Sequence, residues 1–301
     1  MAGWPAVAAA GVVSGRPAGE SDPRPVVVAT AGPDQRVFPW ASVTKVLTAV
    51  TVWIAVEEGT VGWDDPAGPP GATLAHLLAH ASGLELDGEA RLAAPGTRRI
   101  YSNRGIEVAA EHVASRAGMP FDRYLAHGVI EPLGLRATTL SGSPAWGASG
   151  SLVDLLALGR ELLAPTLISG ETVAHTTAVA FPGLAGVLPG YGRQDPNDWG
   201  LGVEIRDHKH PHWTGSRNSP GTFGHFGRSG SLLWVDPVAQ LVLAALADLP
   251  FGPWAVAAWP ALSDAVVAGY GPGAPGVTGP GVVGPGVTGP GVVGPGVTGP
   301  A

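Results

Sequence analysis

The segment from Ser42 to Glu58 constrains the fold most, because it has helical length and is apolar on nearly every side. A surface helix has one apolar face, so a helix that is apolar all round must be buried on all sides. Its longest uncharged run, from Val46 to Val56, is about half of what spans a bilayer. The sequence therefore predicts a central helix that other elements surround.

Strand-like segments lie near both ends of the chain, and helix-like segments lie mostly between them. The predicted strands are 7–13, 25–29, 200–206, 231–236 and 241–247. Besides the central helix, the predicted helices are 73–80, 105–116, 121–130, 152–163 and 254–268. This order predicts an α+β domain over residues 1–270, in which a helical subdomain is inserted at about residues 65–165. The first two strands are expected to pair with each other.

The C-terminal segment has a different composition. Residues 276–300 are five pentapeptides in which GVTGP and GVVGP alternate. Glycine and proline occupy three of every five positions, so this segment can neither pair as a sheet nor continue a helix. Residues 271–301 are predicted to be a flexible tail outside the fold.

Composition excludes several functions. The chain has no cysteine, which rules out disulfides and thiol catalysis, and its net charge is −7. No cluster of basic residues is present that could bind nucleic acid. The first basic residue is Arg16, and the apolar stretch before it is short, so a secretory signal is not expected. A cytoplasmic protein without a membrane partner is predicted, and the oligomeric state is left open.

Ser42 and Lys45 form a Ser-x-x-Lys sequence at the start of the central helix. Positions i and i+3 share a helix face, so the hydroxyl and the ammonium can meet. Burial lowers the pKa of a lysine, which would suit Lys45 as a base, and the helix N-terminus favours a developing oxyanion. An ordinary helix start with a surface lysine would fit the same four residues.

Two further short patterns carry polar groups. Tyr101 and Asn103 precede a helix; a tyrosine near a cationic lysine can lose its proton below its free pKa, and an asparagine can orient the lysine. His225, Gly227 and Arg228 lie just before a strand, where a glycine lets the backbone of a substrate approach and a backbone N–H can donate to an oxyanion. Each pattern alone also fits a simple turn or hairpin.

Taken together and in this order, the three patterns resemble the serine β-lactamase-related family, which includes class C β-lactamases, D,D-peptidases and related esterases. The stretches Phe38–Ala41, Leu77–Leu84 and Glu131–Leu135 add to the resemblance, which covers roughly residues 5–268. It implies the β-lactamase/transpeptidase fold: an antiparallel sheet flanked by helices, with an inserted helical subdomain. It also implies acyl transfer without a metal or other cofactor.

By position, the resemblance makes Ser42 the nucleophile, Lys45 and Tyr101 the proton-transfer pair, and Asn103 a contact of substrate and lysine. His225 and Gly227 take the third-motif place, and the N–H groups of Ser42 and Arg228 form the oxyanion hole. A match shifted by three residues, Arg228 to Gly230, is the alternative.

Phe226 departs from the family pattern, because a small hydroxyl residue that helps bind a substrate carboxylate is usual there. The absence of that hydroxyl favours small carboxylic esters as substrates. A β-lactamase or D,D-carboxypeptidase is the alternative, and a non-catalytic relative that binds a ligand or a partner is another.

Two regions are open to interpretation. His208, His210 and His212 alternate and could face one side of a strand, but a polar hairpin is the preferred interpretation because no carboxylate lies among them. The segment from 168 to 199 is rich in glycine, proline and aromatic residues, and it either lines a substrate cleft or is a surface loop.

Overall fold

The computed structural model describes residues 5–15 and 24–274. Residues 16–23, between the first two predicted strands, and the pentapeptide repeats lie outside the described residues. Strands within the described ranges are, in chain order, β1 (Ala8–Ser14), β2 (Val26–Ala31), β3 (Phe38–Pro39), β4 (Thr139–Leu140), β5 (Ala148–Gly150), β6 (Gly186–Leu188), β7 (Gly192–Gln194), β8 (Glu204–Ile205), β9 (Phe223–Gly227), β10 (Ser231–Asp236) and β11 (Leu241–Ala247).

Helices occupy mainly the middle of the chain and its end. They are α1 (Thr44–Glu57), α2 (Leu74–Leu78), α3 (Asn103–Ala117), α4 (Phe121–Leu125), α5 (Glu131–Leu133), α6 (Leu152–Leu163), α7 (Gly170–Thr176) and α8 (Pro253–Tyr270). A short 3₁₀ turn, Ala41–Val43, leads into α1, and a π-helical turn, Ala126–Ile130, joins α4 to α5. Helices α2 to α6 fall in the range where the helical insertion is expected.

The main sheet has six strands in the order β2-β1-β11-β10-β9-β8, and its neighbouring strands run antiparallel. The predicted pairing of the first two strands is confirmed, with Gly11 opposite Thr30. The strands at 231–236 and 241–247 begin and end where the sequence predicts them.

Both faces of the sheet are covered. Along β11, Val242 and Leu246 pack into the core that contains α1, whereas Leu241 and Leu243 pack against residues of α8. A strand buried on two sides has no solvent-facing alternation, which explains why β11 is apolar at every position.

Helix α1 lies at the centre, as the sequence predicts. Val46 and Val50 pack with the sheet, whereas Val52 and Ala55 pack with α2 and α3. Twelve of its fourteen residues are buried. The antiparallel sheet, its flanking helices and the central helix confirm the predicted β-lactamase/transpeptidase-like fold.

Some boundaries differ from the sequence prediction. The strand expected over 200–206 is reduced to the two residues of β8, because the chain around Gly202 turns sharply, with a φ of 100°. The helix expected over 121–130 divides at the π-helical turn. Among the described residues, no helix combines the length and the apolar character needed to cross a membrane.

Candidate active site

Ser42 lies in the 3₁₀ turn that precedes α1. Ala41, just before it, has a φ of 44°, a left-handed conformation that costs energy for a residue with a Cβ. Lys45 follows one turn later and is fully buried. Its Nζ lies 3.3 Å from the Ser42 Oγ, so the two side chains meet as the i,i+3 spacing predicts.

Lys45 donates to two further acceptors from distant parts of the chain. Its Nζ lies 2.6 Å from the Asn103 Oδ1 and 2.8 Å from the Ala145 carbonyl oxygen. Burial lowers the pKa of Lys45 to about 7, although Asp87 and Glu107 act in the opposite direction. At this value a large fraction of the amine is unprotonated at neutral pH and can accept a proton.

Tyr101 comes just before α3 and its ring packs on the Lys45 side of the cleft. The Lys45 Nζ lies 4.8 Å from the centre of the Tyr101 ring, so the cation faces the ring instead of the hydroxyl. Burial raises the pKa of Tyr101, and a hydrogen bond with Ser42 and the charge of Arg228 offset this only in part. The sequence-based expectation that Lys45 would depress the Tyr101 pKa is therefore wrong, and Tyr101 carries its proton at neutral pH.

His225 on β9 accepts a hydrogen bond from the Tyr101 hydroxyl. Its Nδ1 lies 2.6 Å from the Phe226 carbonyl oxygen, which can only accept, so Nδ1 carries the hydrogen. The Nε2 is then an acceptor, and it lies 3.4 Å from the Tyr101 hydroxyl. Burial, and next the Lys45 charge, lower the pKa of His225 to about 3. His225 is thus neutral and orients the Tyr101 hydroxyl.

Gly227 and Arg228 bring the end of β9 against the Ser42 turn. A Cβ at Gly227 would lie 2.4 Å from the Trp40 carbonyl oxygen, so only glycine allows this approach. The backbone that comes close is the protein's own, whereas the sequence suggested that of a substrate. In the part of the chain that the structure describes, the Arg228 N–H has no acceptor, which leaves it available at the cleft.

A cavity of about 260 Å³ opens beside Ser42. Four of its lining residues are polar, Ser42, Tyr101, His225 and Arg228, and the rest of the wall is largely apolar. The wall residues are Leu188, Pro189, Gly190, Trp199, Glu204, Phe226 and Phe251. The segment from 168 to 199 therefore contributes to the cleft, which was one of its two sequence interpretations.

Sequence reasoning missed two residues of this region, Asp87 and Glu204, and it included Trp199 only as the end of the segment 168–199. Trp199 contacts the rings of His80, Tyr101 and His225, with centroid distances of 4.5, 5.9 and 5.5 Å. Asp87 accepts a hydrogen bond from Asn103 Nδ2 at 2.7 Å. Glu204 lies buried at the cavity wall. No local motif marks these positions.

Glu204 is the centre of a buried polar cluster that also contains Lys209, His212 and Trp213. The Lys209 ammonium pairs with the Glu204 carboxylate. The Nε2 of His212 and the Nε1 of Trp213 each lie 2.9 Å from Glu204 Oε2. Burial by itself raises the pKa of Glu204, but His212 and Lys209 outweigh it and hold the value at about 2.

The three alternating histidines do not share a strand face. His212 is buried on Glu204, whereas His208 and His210 are exposed in an irregular turn. Within residues 5–15 and 24–274, no group of three metal-ligating side chains has the arrangement of a metal site.

Fold and site together define a class: a serine hydrolase of the β-lactamase/transpeptidase type, with Ser-x-x-Lys at the head of a buried helix beside an antiparallel sheet. The chain belongs to the Beta-lactamase family, whose model matches residues 1–267. Proteins of this family are serine hydrolases that act on small acyl substrates.

Comparison with individual proteins gives the following similarities. A solved structure of a β-lactamase (Mb2281c) from Mycobacterium bovis is 51% identical, with a TM-score of 0.84 over 89% of this chain and 96% of that one. EstCE1, a hydrolase with promiscuous acyltransferase activity, is 18% identical with a TM-score of 0.62, over 81% of this chain and 90% of that one, which shows the fold alone.

A curated relative is the D-alanyl-D-alanine-carboxypeptidase/endopeptidase AmpH of Escherichia coli (strain K12). It is 28% identical over 141 residues, which are 35% of this chain and 37% of AmpH. The match therefore spans little more than a third of that relative.

Proposed function

We propose that this protein hydrolyses small carboxylic esters through an acyl-enzyme on Ser42. The observation that carries the proposal is the pairing of the Ser42 Oγ with the Lys45 amine at 3.3 Å, where burial brings the Lys45 pKa to about 7. A buried amine of this kind can take a hydroxyl proton at neutral pH. The ordinary pKa of lysine would leave it protonated.

The proposed acylation begins when Ser42 Oγ attacks the ester carbonyl and its proton passes to Lys45. The negative charge that develops on the carbonyl oxygen is stabilised by the N–H groups of Ser42 and Arg228. Lys45 then gives this proton to the leaving alcohol, and the Tyr101 hydroxyl, which hydrogen bonds with Ser42, positions that alcohol. Water reverses the sequence, so that the acid is released and both side chains return to their starting protonation states.

Cavity size and lining support a small acyl group. Its volume of about 260 Å³ is just below the usual range of ligand pockets, roughly 300–1,000 Å³. Phe226 offers no hydroxyl to a substrate carboxylate, and its ring packs on Phe251 with a centroid distance of 4.9 Å. An apolar acyl chain fits this wall better than an anionic group does.

A β-lactamase or D,D-carboxypeptidase activity is the second candidate. Arg228 is exposed at the cavity and could pair with a substrate carboxylate in place of the missing hydroxyl. The 51% identical Mycobacterium bovis protein is described as a β-lactamase, and AmpH as a carboxypeptidase/endopeptidase.

A cytoplasmic location, expected from the sequence, stays a prediction.

The test combines a covalent probe with two substrates. A fluorophosphonate should label Ser42 alone, as located by mass spectrometry, and Ser42→Ala should abolish labelling and lower p-nitrophenyl butyrate turnover by several orders of magnitude. Ser216→Ala is the matched control, because that hydroxyl is exposed and bonds to Asp264.

Three outcomes would change the assignment. Labelling of Ser42→Ala at the wild-type rate would exclude Ser42 as the nucleophile. A kcat/KM for nitrocefin above that for the ester would favour the β-lactamase candidate. Ligand binding without a covalent adduct on the wild type would favour a non-catalytic relative.

A further inference from the structure

Asp87 is an exposed residue of the loop before α3, its carboxylate contacts Asn103, and no motif of the sequence includes it. The backbone around it is fixed to the start of α3. Leu86, which precedes Asp87, accepts hydrogen bonds at its carbonyl oxygen from the N–H groups of Asn103 and Arg104, at 2.7 and 3.0 Å. The Ser102 hydroxyl donates to the Glu85 carbonyl oxygen at 2.6 Å. Asp87 therefore has a defined position relative to Asn103.

The Asn103 carboxamide is held at both of its ends. Its Nδ2 donates to Asp87 Oδ1 at 2.7 Å, and its Oδ1 accepts from Lys45 Nζ at 2.6 Å. A carboxylate only accepts and an ammonium only donates, so the two partners allow a single orientation of the amide. Rotation of the amide by 180° would place Nδ2 against the Lys45 ammonium and Oδ1 against the carboxylate.

We propose that Asp87 is a positioning residue, whose carboxylate fixes the Asn103 carboxamide with Oδ1 toward Lys45 and places a negative charge near the lysine. The role rests on the proposed function, in which Lys45 is the base. Asp87 reaches Lys45 through the Asn103 amide, so its charge favours the protonated lysine. It thereby counteracts burial, which favours the neutral amine.

Charged and titratable groups face Lys45 from several elements. Two are carboxylates, on the loop before α3 and on α3 itself, and three are uncharged rings. They are Asp87, Glu107, His80, Tyr101 and His225. Burial lowers the pKa values of both histidines and raises that of Tyr101, so none of the three rings carries a charge at neutral pH. The two carboxylates raise the Lys45 pKa, so removing either of them should lower it.

The direct test measures the Lys45 pKa without requiring any activity. The chain contains two lysines, Lys45 and Lys209, so protein labelled with ¹³C at lysine Cε gives two NMR signals. Lys45→Met assigns them. Lys45 should titrate near 7 in the wild type, and at least half a pH unit lower in Asp87→Asn, which removes the charge but keeps an acceptor for Asn103.

Kinetics separate the charge from the orientation. Half a pH unit gives about a threefold higher neutral fraction of Lys45 at pH 6, so Asp87→Asn should react with the fluorophosphonate about threefold faster there. Asp87→Ala should show the same shift, but its rate at pH 8.5 should fall by about threefold to tenfold, because the Asn103 amide loses its acceptor. A gain in rate at low pH is not a result that structural damage produces.

Glu89→Gln is the matched control. It removes a charge from the same loop, but Glu89 bonds to Arg104 at 2.6 Å instead of Asn103, so the Lys45 titration should stay at the wild-type value. An unchanged Lys45 titration in Asp87→Asn, or the same shift in Glu89→Gln, would overturn the proposal. If Asp87→Asn shifts the Lys45 titration but the wild type is never labelled at Ser42, the proposed function is refuted and the role of Asp87 on Lys45 stands.

Discussion

The buried ion pair of Glu204 and Lys209 offers a sharp test of the structure, because its exposed fractions leave little room for solvent screening. The two side chains are 2% and 1% exposed. Lys209 Nζ also donates to the carbonyl oxygens of Asp198 and Ile205, both at 2.6 Å. Glu204→Gln would keep an acceptor for Trp213 but remove the carboxylate that pairs with the Lys209 ammonium.

The cost follows from two independent estimates. Removal of one partner from a buried pair usually costs about 3–5 kcal/mol, because the remaining charge has no compensation. The pKa of Glu204 is about 2, whereas that of an ordinary glutamate is 4.5, and this difference corresponds to about 3 kcal/mol. We therefore expect Glu204→Gln to lower the free energy of unfolding by about 3 kcal/mol or more.

Urea unfolding followed by tryptophan fluorescence provides the assay, since the chain has ten tryptophans. Glu111→Gln is the control, because Glu111 pairs with Arg104 but is 60% exposed, and such pairs contribute about 0–1 kcal/mol. Lys209→Met combined with Glu204→Gln should recover part of the loss, because no uncompensated charge remains.

The pH dependence has a defined sign. The folded-state pKa of Glu204 is depressed, so its contribution to stability is complete above about 4.5 and is lost as the pH falls toward about 2. The wild-type and Glu204→Gln stability curves should therefore converge in that window. A Glu204→Gln protein within 1 kcal/mol of the wild type at pH 7, or a double variant less stable than either single one, would refute this account of the cluster.

Two further predictions concern the cleft. The kcat/KM for p-nitrophenyl butyrate should rise about tenfold per pH unit up to about pH 7 and then level off, because Lys45 must be unprotonated. Lys45→Arg should lower kcat/KM by about 10²–10⁴-fold. A pH profile in which the midpoint of this rise lies above pH 9 would contradict the role of Lys45. Phe226→Thr should lower the free energy of unfolding by about 3 kcal/mol or more in urea titrations, because the ring packs on Phe251 and Trp259. Where the variant remains folded, the ratio of its kcat/KM for nitrocefin to that for p-nitrophenyl butyrate should rise. A variant as stable as the wild type with an unchanged ratio would count against both statements.

Much of the fold could be predicted from local patterns. The burial of α1 follows from its apolar surface on every side, and the two late strands follow from continuous apolar runs between turn residues. The meeting of Ser42 with Lys45 needs only helical spacing. These features depend on residues close in the chain, and periodicity and burial determine them together.

Protonation and orientation within the site depended on the tertiary structure. Lys45 donates to a carbonyl oxygen 100 residues away, and the Tyr101 hydroxyl meets a histidine 124 residues away. The sequence placed Tyr101 near a cation and so predicted a lowered pKa, whereas burial raises it. Desolvation depends on how many elements pack around a group, and no local pattern records that number.

The same reason explains why Asp87 and Glu204 went unnoticed in the sequence. Asp87 lies in an irregular segment, 16 residues before its partner Asn103. Glu204 begins the two-residue strand β8, and its partners follow 5 to 9 residues later in an irregular turn, where no periodic pattern predicts which side chains meet. The sequence by itself determined which residues could carry the chemistry and that the first helix must be buried. The tertiary structure decided the protonation states of those residues and the groups that orient them, because both depend on contacts between parts of the chain far apart in sequence.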